Sequence, residues 1–126
     1  MILLDSHAFY WVVTDQPNFG STARHKIATS PAVYVSSISL LELRIKALAN
    51  RLPEIDFIAA LEDAQLKHLD FRAQDAASIE PLSEEAPKDP FDRALLAQAR
   101  NNKLDFYTAD KKLLALGLPW VVNIGE

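Results

Sequence analysis

Short apolar segments alternate with longer amphipathic segments along the chain. The short segments are rich in β-branched and aromatic residues, which predicts buried strands over 2–4, 32–35, 67–70, 105–108 and 120–122. Apolar residues that recur at helical spacing predict helices over 6–13, 21–29, 39–50, 53–65, 74–81, 90–101 and 111–116. This alternation indicates a three-layer α/β/α fold, in which helices flank a central parallel sheet of four to five strands.

The composition is that of one ordinary globular domain. The chain has 126 residues, of which 49% are hydrophobic and 24% charged, and we expect residues 1–126 to form a single domain. It has no cysteine, so any metal must be bound by oxygen or imidazole groups. No apolar stretch approaches the ~18 residues of a membrane helix, and residues 1–5 lack the charged start of a signal peptide. We therefore expect a cytoplasmic protein without a membrane partner.

The net charge narrows the class of function. The formal charge is −4 at pH 7, whereas a simple nucleic-acid-binding module is usually basic. An acidic chain is compatible with a nuclease, because bound Mg²⁺ would cancel part of a clustered negative charge.

Five acidic residues lie after predicted strands or at the starts of predicted helices. Asp5 comes directly after the first strand, Asp110 comes two residues after the strand at 105–108, and Glu42 lies early in the helix after the second strand. Asp89 and Asp92 lie at the start of the helix predicted over 90–101. Ligands of open α/β folds bind at the carboxyl ends of the strands, so these acids lie where such folds build their sites.

Carboxylates that converge at one edge of a sheet repel one another. A pair about 5 Å apart costs roughly 3 kcal/mol at an effective dielectric constant of about 20. A divalent cation is the simplest compensation, and oxygen ligands select Mg²⁺ or Mn²⁺ over Zn²⁺. Such sites commonly activate water and stabilise an in-line displacement at phosphorus.

Each acid also has a purely structural interpretation. Asp5, Asp89 and Asp110 all precede predicted helices, and aspartate is a preferred N-cap. For Asp89 the cap is the favoured interpretation, since proline follows it at the first helical position. Asp92 would lie in the first turn, where the helix dipole favours a negative charge.

Glu42 lies in an unusually apolar stretch for a charged residue, ISLLEL at 38–43. It is four residues before Lys46, the spacing of a helical ion pair. A partly buried acid requires a partner, and a metal ion is a second candidate.

Four segments together resemble the signature segments of PIN-domain ribonucleases. They are LLDS at 3–6, SISLLEL at 37–43, KDPFDRALLAQA at 88–99 and YTAD at 107–110. They occur in the family's order, and the resemblance extends from residue 1 to about residue 124. The third segment resembles in particular the VapC-type toxins of bacterial toxin–antitoxin pairs.

The resemblance implies an acidic quartet that binds one or two Mg²⁺ or Mn²⁺ ions. The quartet consists of Asp5, Glu42, Asp92 and Asp110. Asp89 would be an accessory acid, Thr108 would orient Asp110 or a water molecule, and Ser6 and Arg93 would line the pocket. Arg93 would pair with an acid or with an RNA phosphate.

The same resemblance implies a function, a mechanism and partners. It indicates a type II toxin that hydrolyses RNA, often tRNA or ribosomal RNA, with a water molecule activated by metal. A small antitoxin protein would block the site, and the chain would form a homodimer. One departure is Pro87, since members of this branch often carry histidine two residues before the first aspartate of the third segment.

Two alternatives remain open from the residues. A phosphoryl-transfer enzyme with Asp5 as nucleophile would prefer a second aspartate at the position of His7. A non-catalytic binding protein would use the acids only as caps.

Other polar and aromatic residues give weaker indications. The aromatic residues at 9–11 are expected to pack in a core or a dimer rather than stack on bases. His7, next to Ser6, could face the site, but local packing or capping is the favoured interpretation. Two basic groups would either steer RNA phosphates or form solvated surface. They are Arg44, Lys46 and Arg51, and Lys111 and Lys112.

Overall fold

The computed structural model describes residues 1–79 and 89–126. The strands in these ranges are β1 (Ile2–Leu4), β2 (Val33–Ser36), β3 (Lys67–Leu69), β4 (Asp105–Thr108) and β5 (Val121–Asn123). The helices are α1 (Ser6–Thr14), α2 (Ser21–Thr29), α3 (Ser37–Leu48), α4 (Phe57–Asp63), α5 (Ala73–Ala77), α6 (Pro90–Asn101) and α7 (Lys111–Leu114). None of these helices is long and apolar enough to cross a membrane.

The strands form one parallel sheet in the order β3-β2-β1-β4-β5. The central strand β1 pairs with β2 on one side, where Leu4 lies opposite Val35, and with β4 on the other, where Leu4 lies opposite Tyr107. The predicted parallel sheet of four to five strands is therefore confirmed, and it has five.

Both faces of the sheet are covered. Ile2 and Leu4 point to one apolar cluster, which also holds Phe9 of α1 and Leu61 of α4. The intervening Leu3 points to a second cluster on the opposite face, and there it packs with residues of α6, α7 and β4. Alternating side chains thus bury both faces, as a three-layer α/β/α fold requires.

Because of local capping, helices α3 and α4 start at residues other than those predicted. Helix α3 begins at Ser37, earlier than predicted, because the Ser36 side chain accepts a hydrogen bond from the amide of Ile38. Helix α4 begins at Phe57, later than predicted, because Asp56 caps it by accepting from the amide of Ala59. Helix α5 ends at Ala77, and the end of the helix predicted over 74–81 lies outside the described residues.

The topology directs four chain segments to the carboxyl edge of the sheet. Asp5 and Asp110 follow β1 and β4, which are neighbours, and the amide of Asp5 donates to the carbonyl of Tyr107 over 3.0 Å. Helix α3 starts directly after β2, and α6 runs back along the sheet to the start of β4. The starts of both helices therefore lie near the ends of the central strands.

Helix α6 should depend on Leu95 for its attachment to the sheet. Leu95 is fully buried in the second cluster, so Leu95→Ala should lower the free energy of unfolding by about 2–5 kcal/mol. Urea unfolding followed by circular dichroism measures this loss. The control Leu48→Ala removes a leucine that is 66% exposed and should change the value by less than about 0.5 kcal/mol. Equal losses in the two variants would contradict the described packing of α6.

Candidate active site

Asp5 is a buried carboxylate whose two oxygens both accept hydrogen bonds. Oδ1 accepts from the amide of Ala8 over 2.6 Å, which makes Asp5 the N-cap of α1. Oδ2 accepts from the hydroxyl of Thr108. Burial raises the pKa of Asp5 to about 6, although both hydrogen bonds lower it. Asp5 is thus held in one orientation in an environment that disfavours its charge.

Thr108 connects the two central strands at the site. It is fully buried at the end of β4. Its hydroxyl donates to Asp5 and accepts from the amide of Asp110 over 3.0 Å. Asp110 in turn caps α7, where its Oδ1 accepts from the amide of Lys112 over 2.8 Å. One hydroxyl therefore fixes the position of one acid and the backbone of another.

Glu42 is held from two sides. Its Oε1 accepts from the hydroxyl of Ser6 over 2.6 Å, and its Oε2 lies 2.9 Å from Nζ of Lys46. The Glu42 side chain is only 12% exposed. The ion pair with Lys46 is therefore present. The hydrogen bond from Ser6, the residue after Asp5, brings Glu42 close to Asp5.

Asp92 lies close to the other carboxylates of the site. It is partly buried in the first turn of α6. Burial raises its pKa to about 7, and the nearby charges contribute in the same direction. Those charges belong to Asp89, Asp110, Asp5 and Glu42. Four segments distant in sequence therefore share one electrostatic environment.

Asp89 caps α6, as its sequence context favoured. Its Oδ1 accepts from the amides of Phe91 and Asp92 over 2.8 and 3.3 Å. Asp89 is exposed, and Pro90 follows it at the first helical position. Its negative charge nevertheless acts on Asp92, so the cap and the acidic cluster involve the same side chain.

The carboxylates do not form a closed ligand set as they stand. Within residues 1–79 and 89–126, no group of three or more acidic or histidine side chains is arranged to hold a metal ion. Asp5 and Glu42 are instead turned toward protein donors. The donor set still fits a hard divalent cation, because it is made of carboxylate oxygens and leaves Asp92 in an excess of negative charge.

Two other residues singled out from the sequence, Arg93 and His7, differ in their burial. Arg93 directly follows Asp92 and is partly buried. His7 is exposed, and its Nε2 lies 3.3 Å from Nζ of Lys46, so it contacts the ion-pair partner of Glu42. Pro87 lies outside the described residues.

The aromatic residues of α1 pack rather than face the site. Phe9 is fully buried, and Tyr10 and Trp11 pack against the same cluster. This confirms the prediction of core packing for Phe9.

The basic residues divide into two environments. Lys111 and Lys112 are exposed in the first turn of α7 beside Asp110. Arg44 is exposed and pairs with Glu54 over 3.2 Å. Lys46, in contrast, contacts the acidic quartet itself.

Comparisons with known proteins agree with this architecture. Residues 2–117 match the family model of the PIN domain. The VapBC2 complex of Rickettsia felis, bound to a DNA fragment from its promoter, contains a chain with 18% identity and a TM-score of 0.69. That alignment covers 98% of this chain and 97% of the other.

A toxin–antitoxin complex from Klebsiella pneumoniae contains a similar chain, with 18% identity, a TM-score of 0.70 and coverage of 98% of each chain. At this identity the two structures establish the fold alone. No curated protein matches the chain significantly. The family model, however, spans nearly the whole sequence, and the chain belongs to the PIN domain family.

Proposed function

We propose that the protein is a metal-dependent endoribonuclease and the toxin of a type II toxin–antitoxin module. PIN domains are nucleases, and the chain belongs to that family. The observation that carries the proposal is the meeting of carboxylates at one edge of the sheet. Thr108 hydrogen-bonds both Asp5 and the backbone of Asp110. Ser6 hydrogen-bonds Glu42, and the charges of these three acids act on Asp92. The substrate is RNA, with tRNA or ribosomal RNA as the expected targets.

The acidic quartet would hold Mg²⁺ or Mn²⁺, with Asp89 as an accessory acid. A bound ion of this kind lowers the pKa of water and stabilises charge that develops on a phosphate group. The protein contributes the placement of the ligands. Thr108 orients Asp5, and Ser6 orients Glu42 through the hydrogen bonds described above. Such outer contacts fix ligand geometry in metal sites.

Basic residues near the quartet would attract the RNA. Lys111 and Lys112 lie next to Asp110 on the exposed start of α7, and their charge would draw phosphates toward the carboxylates. Arg93, adjacent to Asp92 in α6, would pair with an acid or with a phosphate.

A protein partner is consistent with the apolar surface of α3. Leu41, Ile45 and Leu48 recur at helical spacing and are 50%, 43% and 66% exposed. Contiguous exposed apolar residues mark interaction sites. The two matched structures contain toxin–antitoxin complexes, which supports an antitoxin as the partner here. A homodimer is also part of the proposal.

The geometry disfavours Asp5 as a covalent nucleophile. Asp5 is 4% exposed, and both its oxygens accept hydrogen bonds. An attacking carboxylate needs an accessible oxygen, so phosphoryl transfer through Asp5 is the weaker hypothesis.

RNA cleavage should require a divalent cation and Asp92. The purified protein should cleave RNA with Mg²⁺ or Mn²⁺ and lose this activity in excess EDTA. Asp92→Asn should lower the cleavage rate by at least about 100-fold, measured on labelled RNA. The control Asp105→Asn makes the same change at an exposed position at the opposite end of β4 and should cleave normally. Cleavage that persists in EDTA would refute the metal-dependent mechanism.

Removing the charge of Asp92 should stabilise the metal-free protein. Its pKa is about 7 when folded and about 3.8 when unfolded, so the folded state binds more protons between these values. Stability conferred by this carboxyl is therefore present near pH 4 and falls as the pH rises toward 8. In EDTA at pH 8, Asp92→Asn should raise the free energy of unfolding by about 2 kcal/mol, a value reduced for partial exposure.

Urea unfolding between pH 4 and pH 8 measures this difference. In the unmodified protein the free energy of unfolding should fall from pH 4 to pH 8, and in the variant it should fall less. Mg²⁺ should stabilise the unmodified protein more than the variant. If the free energies of unfolding of the two proteins ran parallel from pH 4 to pH 8, folding would not raise the pKa of Asp92.

Loss of the Thr108 hydroxyl should impair activity through Asp5 and Asp110. Thr108→Val keeps the shape of the side chain but removes both hydrogen bonds. The cleavage rate at saturating metal and RNA should fall about 10- to 100-fold, and the free energy of unfolding by about 1–3 kcal/mol. Thr108→Ser retains the hydroxyl and should recover most of the activity. A valine variant with full activity would exclude this positioning role.

A further inference from the structure

Lys46 is a cation that the protein itself supplies to the acidic quartet. Its Nζ lies 2.9 Å from Oε2 of Glu42, and their side chains are only 21% and 12% exposed. By comparison, the ion pair Arg44–Glu54 in the described part of the chain has side-chain exposures of 55% and 80%. Because water screens the Glu42–Lys46 pair less, the attraction between its charges is stronger than in a surface pair.

The ammonium group of Lys46 is anchored at a second point. Its Nζ lies 3.3 Å from Nε2 of His7, and because a lysine ammonium has only donors, the imidazole nitrogen accepts. His7 belongs to α1, the helix that Asp5 caps. Lys46 therefore links α3 to the helix that starts at the buried acid.

Both oxygens of Glu42 already have a partner, and one of the partners is a cation. Ser6 donates to Oε1 and Lys46 to Oε2, so both oxygens are engaged. For Asp92, the described ranges give no side-chain donor to its carboxylate, and the surrounding charges raise its pKa. Among the described residues, the protein thus supplies an ammonium group to Glu42, whereas the neighbouring carboxylates raise the pKa of Asp92.

We propose that Lys46 acts through Glu42: its ammonium group competes with a divalent metal ion for the Glu42 carboxylate and thereby weakens metal binding at the quartet. A metal ion that uses Glu42 must displace the ammonium group or bind beside it, and both cost electrostatic energy. The inference rests on the proposed function, since it assumes that the quartet binds metal.

The test compares Mn²⁺ binding to the metal-free protein by isothermal titration calorimetry, without RNA. Lys46→Met removes the charge and keeps most of the side-chain length, and its Kd for Mn²⁺ should be at least about fivefold lower than that of the unmodified protein. Lys46→Gln is neutral but keeps a hydrogen-bond donor, and its Kd for Mn²⁺ should also be lower. This second variant replaces Lys46→Met in the test if the methionine variant folds poorly.

Two controls separate a local effect from a general change of charge. Arg44→Met removes one positive charge from the same helix but from a solvent-exposed pair, and it should leave Kd within about twofold of the unmodified value. In a Glu42→Gln background, the Lys46→Met substitution should no longer tighten binding, because the contested carboxylate is gone.

The possible failures are distinguishable. Mn²⁺ binding that depends on Asp92 but is unchanged, or weakened, in both Lys46 variants would overturn this inference and leave the proposed function intact. An equal gain in Arg44→Met would also overturn it. Absence of any Asp92-dependent Mn²⁺ binding by the unmodified protein would overturn both.

Discussion

The burial of several carboxylates close together at the carboxyl edge of the sheet is the constraint that organises this molecule. Neighbouring strands β1 and β4 deliver Asp5 and Asp110 to the same edge, and α3 and α6 add Glu42 and Asp92. The raised pKa values of Asp5 and Asp92 show that folding opposes their ionisation. The two apolar clusters that bury the sheet faces must offset that cost.

The protein compensates its acids unequally. Asp5 receives two hydrogen bonds, and Glu42 receives a hydroxyl and an ammonium group. Asp92 instead lies among four carboxylates. Within the described residues, the donors named above for the quartet are therefore directed to Asp5 and Glu42 rather than to Asp92.

The parallel sheet could be predicted because its strands are short apolar runs separated by helical patterns, and the acids could be assigned to one edge because parallel strands end there. Side-chain geometry could not be predicted in the same way. The spacing of Glu42 and Lys46 allowed an ion pair, but the contact of Ser6 with Glu42 depends on how α1 packs against α3. The start of α4 at Phe57 likewise depends on the cap formed by Asp56, which hydrophobic periodicity does not report.

Capping and site formation, which the sequence presents as alternatives, are combined in this fold. Asp5, Asp89 and Asp110 each accept a backbone amide at the start of a helix. A cap engages one oxygen and fixes the direction of the carboxylate at little cost in side-chain entropy, because the donor is part of the same local turn. A helix start also carries partial positive charge, which stabilises the ionised acid. Caps are therefore a physical means of holding several like charges at one sheet edge, and each of these acids has a structural role before any ion or substrate binds.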